Sequence, residues 1–203
     1  MAKETEIKLR ISPASLATLH QHPVLAARCV APWQTRELLN RYYDTADFAL
    51  ANAQVALRIR RDGEQLIQTL KSKGASVAGL SERNEWDWTL KSNRLVLSHL
   101  NDSCWPQSLA ELDKKQLKAV FSTDFKRQFA ELRWQRDGIE TVVEVALDQG
   151  LVIAGQQQED ICEVELELRA GDPAALLELA LELAADVALM PCDISKAERG
   201  YRL

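Results

Sequence analysis

Cysteine is sparse in this sequence and shows no pairing pattern. The four cysteines stand singly along the chain, without CxxC spacing, at Cys29, Cys104, Cys162 and Cys192. Zinc ribbons need clustered cysteines and small secreted domains need paired ones, so neither class fits. We therefore expect reduced thiols in a cytoplasmic protein, without zinc or disulfides.

Long apolar runs and an excess of positive charge are missing as well. No apolar run approaches the roughly 20 residues that span a bilayer, and the opening MAKETEIK lacks the apolar segment of a signal peptide. The net charge of −5 gives no general attraction to DNA. The three histidines lie outside every motif described below, so we expect no catalytic histidine. We therefore expect neither a membrane nor a nucleic-acid partner.

The composition is that of an ordinary globular domain. Hydrophobic residues make up 46% and charged residues 27% of the chain. A length of 203 residues suffices for one well-buried core, and no internal repeat or low-complexity tract divides the chain. We predict a single domain over residues 1–203, and the oligomeric state stays open.

Period-two alternation of apolar and charged residues dominates the chain and predicts about eight strands, mostly linked by hairpins. The pairs Asp62-Gly63 and Asp137-Gly138 are strong hairpin signals. Helices are predicted in SPASLATLHQH, with Ser12 as cap, in SLAELDKKQLKAV, and in AALLELALELAADVAL. The tail SKAERGYRL is read as short and polar. The pattern indicates an antiparallel α+β fold with a large sheet or barrel.

The charged residues recur on one face of strand after strand. Taken singly, each such face is typical of a sheet surface in water. Taken together, the charged faces are hard to explain as a surface in water. The opposite faces are strongly apolar, and like charges along one strand repel each other. The charged sets are Glu4/Glu6/Lys8, Arg58/Arg60, Lys71/Lys73, Arg83/Glu85/Asp87, Glu144/Asp148 and Glu163/Glu165/Glu167.

If the sheet closes, these charged faces line a lumen sized for side chains or one small ligand. Carboxylate oxygens suit hard divalent cations such as Mg²⁺ or Mn²⁺. Arginine and lysine suit phosphate oxygens. The combination points to metal-assisted phosphoryl transfer, and this interpretation requires that the sheet closes.

Several motifs, in order along the chain, carry a family resemblance. They are ETEIK, YYDT, LRIR, TLK, FSTDFKR, EVALDQG, CEVELEL and SKAERGY. ETEIK resembles the ExExK signature of the CYTH superfamily, the triphosphate tunnel metalloenzymes, and the ordered set is most similar to the CYTH domain of bacterial inorganic triphosphatases. The resemblance implies an eight-stranded antiparallel β-barrel with flanking helices, which binds triphosphate end-on with a divalent metal, Mg²⁺ or Mn²⁺.

The resemblance also implies roles for individual residues. The metal site would comprise Glu4, Glu6, Asp148, Glu163 and Glu165. Phosphate would be bound by Lys8, Arg58, Arg60, Lys71, Arg127 and Lys196, with Lys196 on the terminal phosphate. Glu85 would orient these bases, and Glu4, Glu6, Glu85 and Lys196 would be the catalytic groups.

Other charged and aromatic residues of the motifs receive lesser roles. Glu144 and Glu167 could support the acidic site, whereas Arg83 and Lys73 are placed at the rim. For Arg199, a phosphate cap and a solvated tail arginine are equal alternatives. The remaining three, Tyr42, Tyr43 and Asp44, are interpreted as architectural.

From these residues we expect a metal-dependent enzyme that hydrolyses inorganic triphosphate to pyrophosphate and phosphate. The alternatives on the same fold are a thiamine triphosphatase, a nucleoside triphosphatase or a class IV adenylate cyclase. A non-catalytic polyphosphate-binding module is the alternative from another class. A lipocalin-like carrier is disfavoured because such a barrel needs an apolar lumen. Longer family members continue into a histidine-rich CHAD domain, and we expect none within residues 1–203.

Overall fold

A computed structural model describes residues 2–72, 74–101 and 103–203 of the chain. Lys73, predicted to lie at the rim, falls outside the described residues. The ten strands are β1 (Ala2–Arg10), β2 (Gln34–Asp44), β3 (Val55–Asp62), β4 (Gln65–Ser72), β5 (Ala75–Val77), β6 (Leu80–Leu90), β7 (Lys118–Arg136), β8 (Ile139–Ala154), β9 (Gln157–Ala170) and β10 (Met190–Pro191). The helices are α1 (Pro13–Leu19), α2 (Pro23–Arg28), α3 (Ala49–Asn52), α4 (Ala174–Ala184) and α5 (Lys196–Arg202).

Eight of the strands form a closed antiparallel barrel. Their order is β1-β9-β8-β7-β2-β3-β4-β6, and β6 pairs back onto β1 from Ala2↔Glu85 to Ile7↔Leu80. The short strands β5 and β10 extend the sheet beside β6 and β1. Closure satisfies the backbone groups that an open sheet would leave at its edges. The predicted α+β fold, an eight-stranded antiparallel barrel with flanking helices, is confirmed.

Two-residue turns set the register of the predicted hairpins. Asp137 and Gly138 connect β7 to β8, both with positive φ (51° and 76°), as a type I′ turn requires. In the other hairpin Asp62 still pairs with Gln65, so the turn residues are Gly63 and Glu64. Both Asp-Gly signals therefore marked real hairpins, the earlier one displaced by one residue.

The helices cover the apolar outer faces of the strands. In α1, the Ser12 hydroxyl caps the helix by accepting a hydrogen bond from the Ser15 N–H at 3.1 Å, as predicted. The longest helix, α4, is also confirmed and buries Leu176, Leu179 and Leu183 against the barrel. Among the described residues, no helix is long and apolar enough to cross a membrane.

One local prediction is wrong. The segment SLAELDKKQLKAV and the residue before it form 3₁₀ turns at Gln107–Leu109 and Lys114–Gln116, and β7 begins at Lys118. Pairing with β2 at Asp44↔Lys118 extends the chain there, so tertiary pairing overrides the helical spacing of the leucines. The short polar tail, for which the sequence predicted no element, forms α5.

The YYDT segment anchors α3 to the barrel. The Asp44 carboxylate is fully buried and accepts hydrogen bonds from the N–H groups of Thr45, Leu50 and Ala51 at 2.7–2.9 Å. The neighbouring Tyr42 ring stacks on Phe121 with a centroid distance of 4.5 Å. These contacts support the architectural interpretation of Tyr42 and Asp44.

Candidate active site in the barrel lumen

Strand register brings the predicted charged residues to the inside of the barrel. Residues directly opposite in an antiparallel pair share one face of the sheet. The opposed charged pairs are Glu4↔Arg83, Lys8↔Glu165, Lys71↔Glu85, Arg127↔Asp148 and Asp148↔Glu163. All of them except the fully buried Asp148 and Glu163 line a cavity of about 810 Å³. The condition set by the sequence, a closed sheet with a charged lumen, is met.

The first acidic cluster consists of Asp148, Glu163 and Glu165. One carboxylate oxygen from each lies within 4.8 Å of the others, and Asp148 and Glu163 are fully buried. The Lys196 Nζ contacts all three, at 2.7 Å from Asp148, 2.9 Å from Glu165 and in a short contact with Glu163. Arg127 donates two hydrogen bonds to Asp148, at 2.8 and 2.7 Å, and a third to Glu165. The repulsion expected along β9 is thus offset by cations.

Helix α5 supplies two of the cations that reach this cluster. Ser195 and Glu198 form a capping box at its start, and Lys196 is its first residue. One turn later, Arg199 contacts Glu163 at 3.3 Å and Glu159 at 2.8 Å, and only 3% of its surface is exposed. The interpretation of Arg199 as a solvated tail arginine is therefore wrong.

The second acidic cluster contains Glu4 and Glu6, and the structure does not bring these residues into the cluster of three. Arg83 joins them, with its Nε at 2.6 Å from Glu4 and its Nη2 at 2.7 Å from Glu6. Lys71 lies 2.9 Å from Glu4 and 3.0 Å from Glu85. The Arg83 side chain is 17% exposed and lines the cavity, so its predicted rim position is wrong.

Glu85 contacts two of the bases that it is predicted to orient. Its carboxylate is 3.0 Å from Lys71 and 3.7 Å from Arg58. Tyr42 also interacts with Arg58. Burial alone would raise the pKa of the Tyr42 phenol, but the nearby Arg58 guanidinium lowers it. Both partners hold the Arg58 side chain in the lumen.

The surroundings drive the carboxylate pKa values apart. Burial alone would raise the pKa of Glu4, but Lys71 and Arg83 lower it well below its usual range. For Glu165, Lys196 and Arg127 likewise overcome burial and lower the pKa. Burial and the nearby Glu165 instead raise the pKa of Glu6. The lumen therefore holds carboxylates of unequal proton affinity, which is typical of catalytic sites.

Two lumen cations, Lys8 and Arg60, have no carboxylate within 4 Å in the part of the chain that the structure describes. The Lys8 ammonium donates to the Ile194 carbonyl at 3.4 Å, and Arg60 donates to the Asn40 side-chain oxygen at 2.8 Å. Burial, with the nearby Arg58 and Arg127, lowers the pKa of Arg60 to about 10. Like charges held together in this way favour an anion between them.

Comparison with known proteins identifies the family. The profile of the CYTH domain matches residues 2–201. The chain belongs to the CYTH domain family. It is 35% identical over 203 residues to the inorganic triphosphatase of Haemophilus influenzae, and the alignment covers all of this chain but 55% of that protein. The CYTH chain thus spans about half the length of this curated relative.

Solved structures share the CYTH barrel fold. The Hippeastrum protein HpAC1, for which a dominant triphosphatase activity is described, superposes with a TM-score of 0.67 at 20% identity, covering 98% of this chain and 95% of its own. A Pyrococcus horikoshii protein superposes with a TM-score of 0.58 at 18% identity, covering 97% and 98%. At these identities the likeness shows the fold alone.

Two charged residues of this CYTH domain, Arg169 and Glu159, were not predicted from the sequence. Arg169 lies 3.0 Å from Glu144 and also pairs with Glu167. Arg169 stands two positions after Glu167, so the alternation of β9 could have revealed it. Glu159, the partner of Arg199, lies four positions before Glu163 on the same strand and carried the same signal.

Proposed function

We propose that this CYTH domain hydrolyses inorganic triphosphate to pyrophosphate and phosphate, with Mg²⁺ or Mn²⁺ as cofactor. One observation carries the proposal: Lys8 and Arg60, which have no carboxylate within 4 Å among the described residues, share one lumen with a cluster of carboxylates. A polyphosphate would neutralise the cations, and the carboxylates would hold a divalent ion that neutralises phosphate charge. The activity named for the H. influenzae relative supports the same chemistry.

The residues of the acidic cluster fit a divalent metal. Asp148, Glu163 and Glu165 offer hard oxygen donors within 4.8 Å of one another, which is the ligand chemistry of Mg²⁺ and Mn²⁺. Such an ion supplies polarisation of the phosphoryl oxygens and neutralises charge that develops during transfer. Under this proposal the three carboxylates hold the metal.

The cations hold and align the substrate. Phosphate oxygens are bound by Lys8, Arg58 and Arg60. They are also bound by Arg127 and Lys71, each of which at the same time keeps its carboxylate partner. Lys196 contacts the terminal phosphate. Glu85 keeps Lys71 and Arg58 in place, at 3.0 and 3.7 Å. Fixed positive charge around the polyphosphate stabilises the transition state without reorganisation.

The reaction itself is a displacement at the terminal phosphorus. A water forms a bond to that phosphorus, the bond to the bridging oxygen breaks, and pyrophosphate leaves. Glu6, in the second acidic cluster, is the carboxylate proposed to take the proton of the water, because its pKa is raised. Glu4, whose pKa is lowered, instead holds Lys71 and Arg83 in place at 2.9 and 2.6 Å. The four cysteines are free, which agrees with the proposed cytoplasmic location.

A matrix of substrates and metals tests the proposal. Purified full chain is incubated with triphosphate, thiamine triphosphate or ATP, each with Mg²⁺, Mn²⁺ or EDTA, and phosphate and cyclic AMP are measured. We expect triphosphate to be the best substrate and EDTA to abolish turnover. Faster turnover of ATP or thiamine triphosphate, or formation of cyclic AMP, would assign another activity of the same fold. Tight triphosphate binding without turnover in any metal would indicate a binding module.

A further inference from the structure

The Lys196 ammonium lies where a metal ion would have to bind. It contacts all three members of the acidic cluster, Asp148, Glu163 and Glu165. Lys196 and Glu165 line the cavity, whereas Asp148 and Glu163 are fully buried and do not. A cation that enters from the lumen therefore meets Lys196 before it meets the two buried carboxylates.

The ammonium and a divalent ion cannot both occupy the centre of this cluster. Mg²⁺ binds carboxylate oxygens at about 2.1 Å, while the Lys196 Nζ lies 2.7 Å from Asp148 and 2.9 Å from Glu165. An ion bound to the same oxygens would lie within a few ångströms of a like charge, shielded from water, where repulsion is strong. Arg127 already adds a further positive charge on Asp148 and Glu165.

Lys196 can leave the cluster without movement of its helix. It is the first residue of α5, and its four-carbon stem is flexible. Later residues fix the helix: Arg199 contacts Glu163 and Glu159, and Tyr201 packs edge-on against Phe121 with a centroid distance of 4.9 Å. Rotation of one side chain is therefore enough.

We propose that Lys196 and the divalent metal exchange at Asp148, Glu163 and Glu165, and that metal binding thereby turns the Lys196 ammonium into the lumen, where it binds phosphate. The exchange rests on the metal-dependent function proposed above. Because the ammonium stays on the carboxylates until the ion displaces it, Lys196 can bind the substrate only after the metal. The exchange thus makes metal binding a condition for a complete phosphate site.

The competition is tested by Mn²⁺ binding to the full chain in the absence of triphosphate, measured by electron paramagnetic resonance. Lys196→Met removes the competing ammonium, so we expect Mn²⁺ affinity to rise by about tenfold or more. Lys8→Met is the matched control, because Lys8 opposes Glu165 in the sheet but makes no ion pair within 4 Å among the described residues. Its gain in affinity should be clearly smaller. An unchanged affinity in Lys196→Met, or equal gains in both variants, would overturn the exchange.

A second measurement needs no variant, so it tests the exchange even if Lys196→Met fails to fold. The wild-type chain is treated with an amine-reactive reagent, with and without Mn²⁺, and labelling is quantified by mass spectrometry. Labelling of Lys196 should rise with Mn²⁺ relative to that of Lys8, and an unchanged ratio would contradict the exchange. Failure of the proposed function would be recognised separately: the wild-type protein would bind Mn²⁺ but would not turn over triphosphate.

Discussion

We expect Arg60 to lower the stability of the fold and to support the binding of triphosphate. Its pKa of about 10, against an ordinary value of 12.5, reflects burial and the nearby Arg58 and Arg127. That difference corresponds to about 3 kcal/mol against the charged side chain. The cost is present at neutral pH and declines only as the pH rises above 10. Arg60→Gln removes it but also removes the hydrogen bond to Asn40, worth about 1 kcal/mol.

The expected result of Arg60→Gln is therefore opposite in two assays. The free energy of unfolding in urea should rise by about 2 kcal/mol. The dissociation constant for triphosphate, measured by calorimetry, should increase about tenfold or more because a charged hydrogen bond is lost. Arg61→Gln, at the exposed neighbouring position, is the matched control and should change neither quantity appreciably. A loss of stability in Arg60→Gln, or unchanged triphosphate binding, would refute the assignment of Arg60 as an unpaired lumen cation.

Three further predictions concern other parts of the site. Burial, with Glu4 and Glu144 nearby, raises the pKa of Glu167 from 4.5 to about 7. Its contribution to stability is complete below pH 4.5 and is lost as the pH rises through 7. The free energy of unfolding of wild type relative to Glu167→Gln should therefore fall by about 3 kcal/mol between these pH values, as urea titrations at both would reveal. A Cβ on Gly200 would lie 2.2 Å from the Phe121 ring. Gly200→Ala should therefore lower the melting temperature and reduce the free energy of unfolding by about 1–3 kcal/mol. Adding Phe121→Leu to the same chain should recover part of that stability. Finally, Glu165→Gln should abolish metal-dependent phosphate release with an unchanged circular dichroism spectrum, and full activity would contradict the metal assignment.

The barrel could be predicted because local and global signals agree. Alternation in the strands and the Asp-Gly signals at Asp62-Gly63 and Asp137-Gly138 indicate hairpins without knowledge of distant contacts, although the first turn lies one residue later. Residues 107–117 could not be predicted in the same way, since pairing of Lys118 with Asp44 across the sheet extends the chain that follows. Helix α5 was missed although Ser195 and Glu198 carry a capping-box pattern.

Charged side chains of the site were predictable, but their partners were not. Alternation assigns Glu4, Glu6 and Glu165 to one face of each strand, yet which cation each contacts depends on register and on barrel closure. The separation of Glu4 and Glu6 from the cluster of three follows from the position of β1 relative to β9. Arg83 could not be placed from the sequence, because its two contacts arise only where β6 closes onto β1.

Phosphorus NMR of triphosphate incubated with the purified chain would follow the proposed hydrolysis itself. With Mg²⁺ or Mn²⁺ tested in turn, we expect loss of the triphosphate resonances and equimolar appearance of pyrophosphate and phosphate, and no reaction with EDTA. Triphosphate that is bound but stays intact with both metals would contradict the proposed hydrolysis.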